Sequence, residues 1–204
     1  VKNMYELTTQ LWVGNENHPP LTEELFQPIS NNGSLGIKGS GGLWTSTWLG
    51  VSEGSDWIQW KLGEDWNCPE DYIWYGYLLE PKDDINILVI DSLTDMHQLF
   101  DRYGYKQFPD IPQLDHEALD FESMAKDYDG MRLTERGQVV TRHGFSWFSG
   151  DYFQEELKEE WKQKIMRNLY GRDCESCLHF RWNFKEVIPV KLEIKREGEI
   201  EEDE

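Results

Sequence analysis

At 204 residues, with 38% hydrophobic and 29% charged residues, the chain is long enough to bury a core within one domain. Its formal charge of −19 disfavours nucleic acid, because affinity for a phosphate backbone comes largely from the lysines and arginines that neutralise it, and a basic protein partner suits it better. No apolar run approaches the roughly 18 residues of a membrane span, the opening residues do not read as a signal peptide, and Cys68, Cys174 and Cys177 cannot all pair within one chain, so free thiols in the cytoplasm and no membrane partner are expected.

QLWVG (Gln10 to Gly14) reads as a short strand ending at a glycine. Pro19, Pro20, Pro28 and the repeated glycines from Gly33 to Gly42 then give the turn chemistry of a mobile segment. GGLWTSTW (Gly41 to Trp48) reads as a second strand, and SDWIQWKL fits a short helix or an extended segment equally. YIWYGYLLEP (Tyr72 to Pro81) is a strand stopped by proline, and INILVID (Ile85 to Asp91) has the continuous apolar character of a strand covered on both faces.

Ser92 and Thr94 offer N-caps to a helix whose Met96, Leu99, Phe100 and Tyr103 share one face, closed by Gly104. A second helix is expected over about Asp115 to Asp127, from the spacing of Ala118, Phe121, Ala125 and Tyr128, and DGMRLT follows as a short strand. A third helix is expected from about Tyr152 to Leu169, with Phe153, Leu157, Trp161, Ile165 and Leu169 as its stripe. Leu178, Phe180, Trp182 and Phe184 alternate with His179, Arg181 and Asn183 as in a half-buried strand. The acidic end, residues 193–204, is set apart as a disordered tail from a single domain over residues 1–192. Strands and helices mix without a βαβ rhythm, which predicts an α+β fold. The abundance of Trp (10), Tyr (9) and Phe (9) adds the prospect of an aromatic-lined cleft.

Three chemical motifs compete. Cys174-x-x-Cys177 with His179 offers three soft metal ligands, but structural zinc sites usually show two paired clusters and Cys68 has no neighbour of that kind, so no metal is expected. GIKGSGG lacks the preceding strand and the Lys-Ser/Thr helix start of a phosphate loop. In Asp173-Cys174-Glu175, an extended backbone would turn both carboxylates to one side, and like charges held close raise at least one pKa, which suits proton transfer.

Taken in order, LWVG, Trp44-Thr45-Ser46-Thr47-Trp48 and Asp173-Cys174-Glu175 resemble the ADP-ribosyltransferases, the bacterial-toxin-like and phage-borne enzymes that use NAD, over about Leu11 to Phe184. The first ends a strand in aromatic-x-Gly, the second is similar to the family's Ser-Thr-Ser segment, and the third to its Glu-x-Glu or Gln-x-Glu. The resemblance implies two small, mostly antiparallel sheets packed face to face with flanking helices around an NAD cleft. It implies transfer of ADP-ribose from NAD to a protein acceptor, with arginine the usual side chain for a two-acid pair, and release of nicotinamide.

Carried over, Glu175 would be the catalytic glutamate that holds the ribose 2′-hydroxyl, and Ser46 would orient it. Asp173 would face the acceptor, and Tyr170 would sit in the target-recognition loop. Gly14 would bond the nicotinamide carboxamide, Thr45 and Thr47 would pack the strand around Ser46, Trp12 would line the cofactor site, and Trp44 or Trp48 would stack on the ring. The family's first strand usually carries Arg or His where this chain has Val13; either Arg142, Lys38 or Arg172 grips the NAD phosphates instead, or activity is altered or lost. The competing readings are a catalytically inactive acidic binding protein, an inhibitor or DNA mimic that kept the fold and lost the chemistry, an NAD glycohydrolase, and a zinc-stapled module.

Overall fold

A computed structural model of the chain describes residues 7–31, 38–64, 72–107, 110, 117–142, 158–162, 164, 167–169 and 171–194. It is an α+β structure built on one seven-stranded sheet and a two-stranded ribbon. The strands are β1 (Gln10–Gly14), β2 (Leu43–Thr47), β3 (Ile73–Pro81), β4 (Ile87–Ile90), β5 (Gly104–Lys106), β6 (Glu117–Leu119), β7 (Gly130–Leu133), β8 (Ser176–His179) and β9 (Phe184–Glu193). The helices are α1 (Asp56–Glu64), α2 (Leu93–Tyr103), α3 (Phe121–Asp127), α4 (Glu135–Thr141) and the single turn α5 (Glu159–Lys162).

The large sheet runs β4-β7-β8-β2-β1-β3-β9, and β5 pairs with β6 apart from it. Among the described strands, β4 and β7 pair in parallel and the other neighbouring pairs are antiparallel. The expectation of two sheets packed face to face is corrected by this continuous sheet. Its halves meet at β1 and β2 through just two residue pairs, Gln10 with Thr47 and Leu11 with Ser46. The outer half is held more firmly, β3 lying against β9 from Ile73–Glu193 to Pro81–Phe184 with one irregularity at Glu80.

Helix α2 follows its sequence signals at both ends. Ser92 Oγ accepts from Asp95 N at 3.1 Å, and the Asp95 carboxylate accepts in turn from Asp91 N at 3.0 Å, a reciprocal cap that satisfies donors the helix cannot. The face of Met96, Leu99, Phe100 and Tyr103 is buried, against Phe121, Met124, Met131, Leu133 and Leu178. A second cluster joins Leu11, Ile58, Leu62, Trp74, Leu192 and Ile194 between α1 and the outer half-sheet, which settles SDWIQWKL as helical. A third gathers Leu43, Leu79 and Phe184.

Three expectations are corrected. The stretch read as one helix from Asp115 is strand β6 followed by α3, because Asp120 caps α3 from within, its carboxylate accepting from Ser123 N at 2.9 Å. Of the expected third helix, the described residues keep the turn at Glu159–Lys162, while 164 and 167–169 are not helical; residues 152–157, 163, 165 and 166, with Phe153, Leu157 and Ile165 of the stripe, lie outside the described residues, and Trp161 and Leu169 are buried. The alternation from Leu178 to Phe184 is split between β8 and β9. Strand β8 sits inside the sheet between β7 and β2, so its alternate His179 and Cys177 are as buried as Leu178. Strand β9 runs to Glu193 and Ile194 is buried, so the packed structure includes residues placed in the expected tail; residues 195–204 lie outside the described residues.

Candidate functional site

The site forms where β2 runs between β1 and β8. Thr45 pairs with Cys177, so the backbone just ahead of β8 brings Glu175 level with the end of β2. There its carboxylate, 5% exposed, is held by a full set of donors. Ser46 Oγ lies 3.0 Å from Oε2, and Thr47 N donates to the same oxygen at 2.8 Å. Thr47 Oγ1 donates to Oε1 at 2.9 Å, and Arg132 Nε reaches Oε1 at 2.9 Å while its Nη2 donates to Thr47 Oγ1 at 3.2 Å. Ser46 Oγ also lies 3.0 Å from the Glu175 carbonyl, which fastens the Glu175 backbone to β2. Carboxylates in charge-assisted bonds of this kind are rigid and precisely oriented anions.

Arg132 escaped the sequence reading. It lies on β7 between the buried Met131 and Leu133, and a lone arginine in an apolar central strand is the signal that marked it. Asp56, at the start of α1, completes the electrostatic surroundings. Burial raises its pKa, with Glu175 and Glu135 adding to the rise and Arg132 opposing it.

Thr45 belongs to a different network. Its hydroxyl donates to Gln10 Oε1 at 2.9 Å and lies 3.0 Å from His179 Nε2. His179 is fully buried, and desolvation pulls its pKa down to about 3, so it stays neutral. This network locks β1, β2 and β8 together where the sheet is narrowest.

Beside the Ser46–Glu175 pair lies a cavity of about 330 Å³, near the lower end of the roughly 300–1,000 Å³ typical of small-molecule sites. Trp12, Trp44, Trp57 and Trp60 line it, with Leu11, Val13, Thr45, Ser46, Asp173, Cys174 and Ser176. Ser176 Oγ is buried and has no hydrogen-bond partner among the described residues. A polar ligand group or a water placed there would recover the desolvation cost of that hydroxyl, about 1–3 kcal/mol.

The expected site residues are therefore distributed unevenly. Ser46, Thr45, Trp12, Trp44 and Asp173 line the cavity, whereas Glu175 and Thr47 stand beside it through their bonds to Ser46 and to each other. Trp48 packs instead against the cluster of Leu11, Ile58 and Trp74. Gly14 lies under the Trp12 ring, where a Cβ would meet Trp12 Cη2 at 2.3 Å, so its missing side chain makes room for the tryptophan. The Trp44 ring carries the Arg172 guanidinium 4.9 Å from its centroid. Tyr170 lies outside the described residues.

Asp173 and Glu175 are held by different cations. Asp173 pairs with Arg142 at 2.9 Å and Glu175 with Arg132 at 2.9 Å, so each carboxylate has its own cation. Burial, with Asp56, Glu175 and Asp173 nearby, pushes the Cys174 thiol up to about 12, which favours the protonated form. Cys177 is buried in β8 and its thiol is pushed up further. Among the described residues no group of three or more His, Cys, Asp or Glu could hold a metal ion; Cys68 lies outside them. No described helix is long and apolar enough to cross a membrane. No protein-family model, curated protein or solved structure matches the chain.

Proposed function

We propose that the chain is an ADP-ribosyltransferase-like enzyme that takes ADP-ribose from NAD and passes it to a protein acceptor. The observation that carries this reading is the buried Glu175 carboxylate, fixed by Ser46 and Thr47 at the side of a tryptophan-lined cavity.

In the proposed reaction the bond between the ribose C1′ and the nicotinamide nitrogen breaks, and nicotinamide leaves with the electron pair. Glu175, oriented by Ser46, holds the ribose 2′-hydroxyl and stabilises the positive charge that develops on the sugar. A nucleophilic side chain of the acceptor then bonds to C1′ and gives up its proton. A flat ring fits among the tryptophans, whose faces stack well and exclude water.

A second reading follows from Arg132. With both Glu175 oxygens engaged by Ser46, Thr47 and Arg132, the carboxylate would serve as a pin between β2, β7 and β8, and the −19 surface would be a platform for a basic protein partner.

Nicotinamide release from NAD by the wild-type protein and by Glu175→Gln, with and without cell lysate, separates these readings. The transferase reading expects release that rises with lysate and drops about 100-fold or more in the variant, the usual scale for losing one electrostatic contact to a transition state. Release that ignores lysate would make the acceptor water. Absence of release from folded protein would overturn the enzyme reading and leave the binding platform.

A further inference from the structure

Both acids of Asp173-x-Glu175 already hold a guanidinium. Arg142 Nη2 lies 2.9 Å from Asp173 Oδ1, and Arg132 Nε lies 2.9 Å from Glu175 Oε1. The Glu175 oxygens are engaged further, Oε2 by Ser46 Oγ and Thr47 N, and Oε1 by Thr47 Oγ1. An acidic pair selects a cationic acceptor by offering it an open carboxylate, so that opposite charges meet at contact. Here each carboxylate brings its own counterion. Asp173 is the acid that lines the cavity, and it is one of the two that are paired.

An incoming arginine or lysine side chain would therefore meet Arg142 on the very carboxylate it needs, and like charges brought together there repel. A carboxylate acceptor meets the opposite obstacle in a chain whose net charge is −19. An uncharged nucleophile escapes both. Ser176 supplies a contact for one: it lines the cavity, and its Oγ is buried with no hydrogen-bond partner among the described residues. A second hydroxyl brought to that oxygen can either donate to it or accept from it.

We propose that the acceptor group of this site is an uncharged hydroxyl, a serine or threonine side chain of the partner protein, and that the Arg142–Asp173 and Arg132–Glu175 pairs set this preference against arginine. The proposal rests on the transferase reading given above and names its acceptor. The hydroxyl oxygen bonds to the ribose C1′ as the bond from C1′ to the nicotinamide nitrogen breaks. Nicotinamide leaves with the electron pair, and the hydroxyl proton passes to water. A neutral oxygen is nucleophile enough, because the sugar carbon it meets carries oxocarbenium-like positive charge. The −19 charge acts at longer range: it draws in a partner that is basic around the hydroxyl without choosing the atom that reacts.

The test incubates wild-type protein and Arg142→Gln with NAD, cell lysate and agmatine, a free guanidinium compound, and locates the adducts by mass spectrometry. With the wild-type protein, ADP-ribose is expected on serine or threonine of lysate proteins, and agmatine is expected to be modified only slowly. Arg142→Gln uncovers Asp173, and agmatine modification should rise about fivefold in it, the upper end for one half-exposed charge pair. ADP-ribose on arginine side chains, or agmatine use unchanged in folded Arg142→Gln, overturns the proposal and leaves the transferase reading standing. Nicotinamide release with no protein adduct also overturns it and makes the acceptor water. No release from folded protein removes the transferase reading, and the acceptor class falls with it.

Discussion

Arg132 decides how Glu175 can be tested. Its side chain is 21% exposed against 5% for the carboxylate it pairs with, so the contact is mostly sheltered from solvent screening. Breaking such a pair strands the buried charge, and Arg132→Met is expected to cost about 2–3 kcal/mol of unfolding free energy, at the low end for buried pairs because the arginine is partly wet. Urea denaturation would read this. In the double variant with Glu175→Gln much of the loss should return, since a neutral amide no longer needs the cation. A loss under about 0.5 kcal/mol in Arg132→Met would mean that Ser46 and Thr47 hold the carboxylate unaided. The sequence exposed one side of this arrangement only. Ser46 and Glu175 were legible through the resemblance of their motifs, because each lies in a short local pattern. Arg132 contributes from a third strand, and no local spacing connects β7 to β2 or β8. Likewise the Asp173-x-Glu175 spacing said where the carboxylates lie along the chain, but not that separate arginines would claim them.

Elements with local stop signals came through the sequence best. Strands β1, β2, β3, β4 and β7 all lie within the stretches read for them, and α2 runs from its serine cap to its closing glycine. The failure at β6 and α3 has a physical cause: Ala118 and Phe121 keep helical spacing across the boundary, so periodicity alone carries the helix backwards through the strand. The deciding residue is Asp120, whose two carboxylate oxygens accept from Ser123 N at 2.9 Å and Ser123 Oγ at 2.7 Å. It also accepts from Asn31 Nδ2 at 2.9 Å, which ties the loop between β1 and β2 to α3. Removing one capping side chain usually costs about 1 kcal/mol. Asp120→Ala should exceed that and reach about 2 kcal/mol, because the loop anchor is lost with the cap. It should also speed protease cleavage between Asn15 and Gly42. Destabilisation without faster cleavage there would mean that the Asn31 contact does not restrain the loop.

Across the whole molecule, charge and burial predict how stability responds to acid. His97 is 1% exposed, stacked on Trp161 with ring centroids 5.1 Å apart. Desolvation first, then the Arg167 guanidinium, pull its pKa down to about 4, against opposing pulls from Asp101 and Glu117; Lys164 also faces it and lowers it. His179 is buried and lowered to about 3 by desolvation. Both histidines titrate near 6.5 when unfolded. Between that value and their folded values the unfolded chain binds more protons, so stability must fall as pH drops through 6.5. The carboxylates Glu117 and Asp101, lowered by their bonds to Arg167, add a loss of the same sign, but only near and below their unfolded values of 4.5 and 3.8. Asp56 works the other way, its raised pKa favouring the fold on acidification. Between pH 7 and 5.5, among the described residues, His97 and His179 are the groups that drive this loss, opposed by Asp56, while the chain stays above its pI of 4.6 and keeps its net negative charge. Each should contribute about 1 kcal/mol of lost stability over that window. Urea midpoints at the two pH values would measure the sum, and His97→Gln should remove about half of it. A pH-independent midpoint in the wild-type protein would mean that water or a rearranged network admits protons to both rings at little cost, and the buried Thr45–His179 contact that joins β2 to β8 would then not be a dry one.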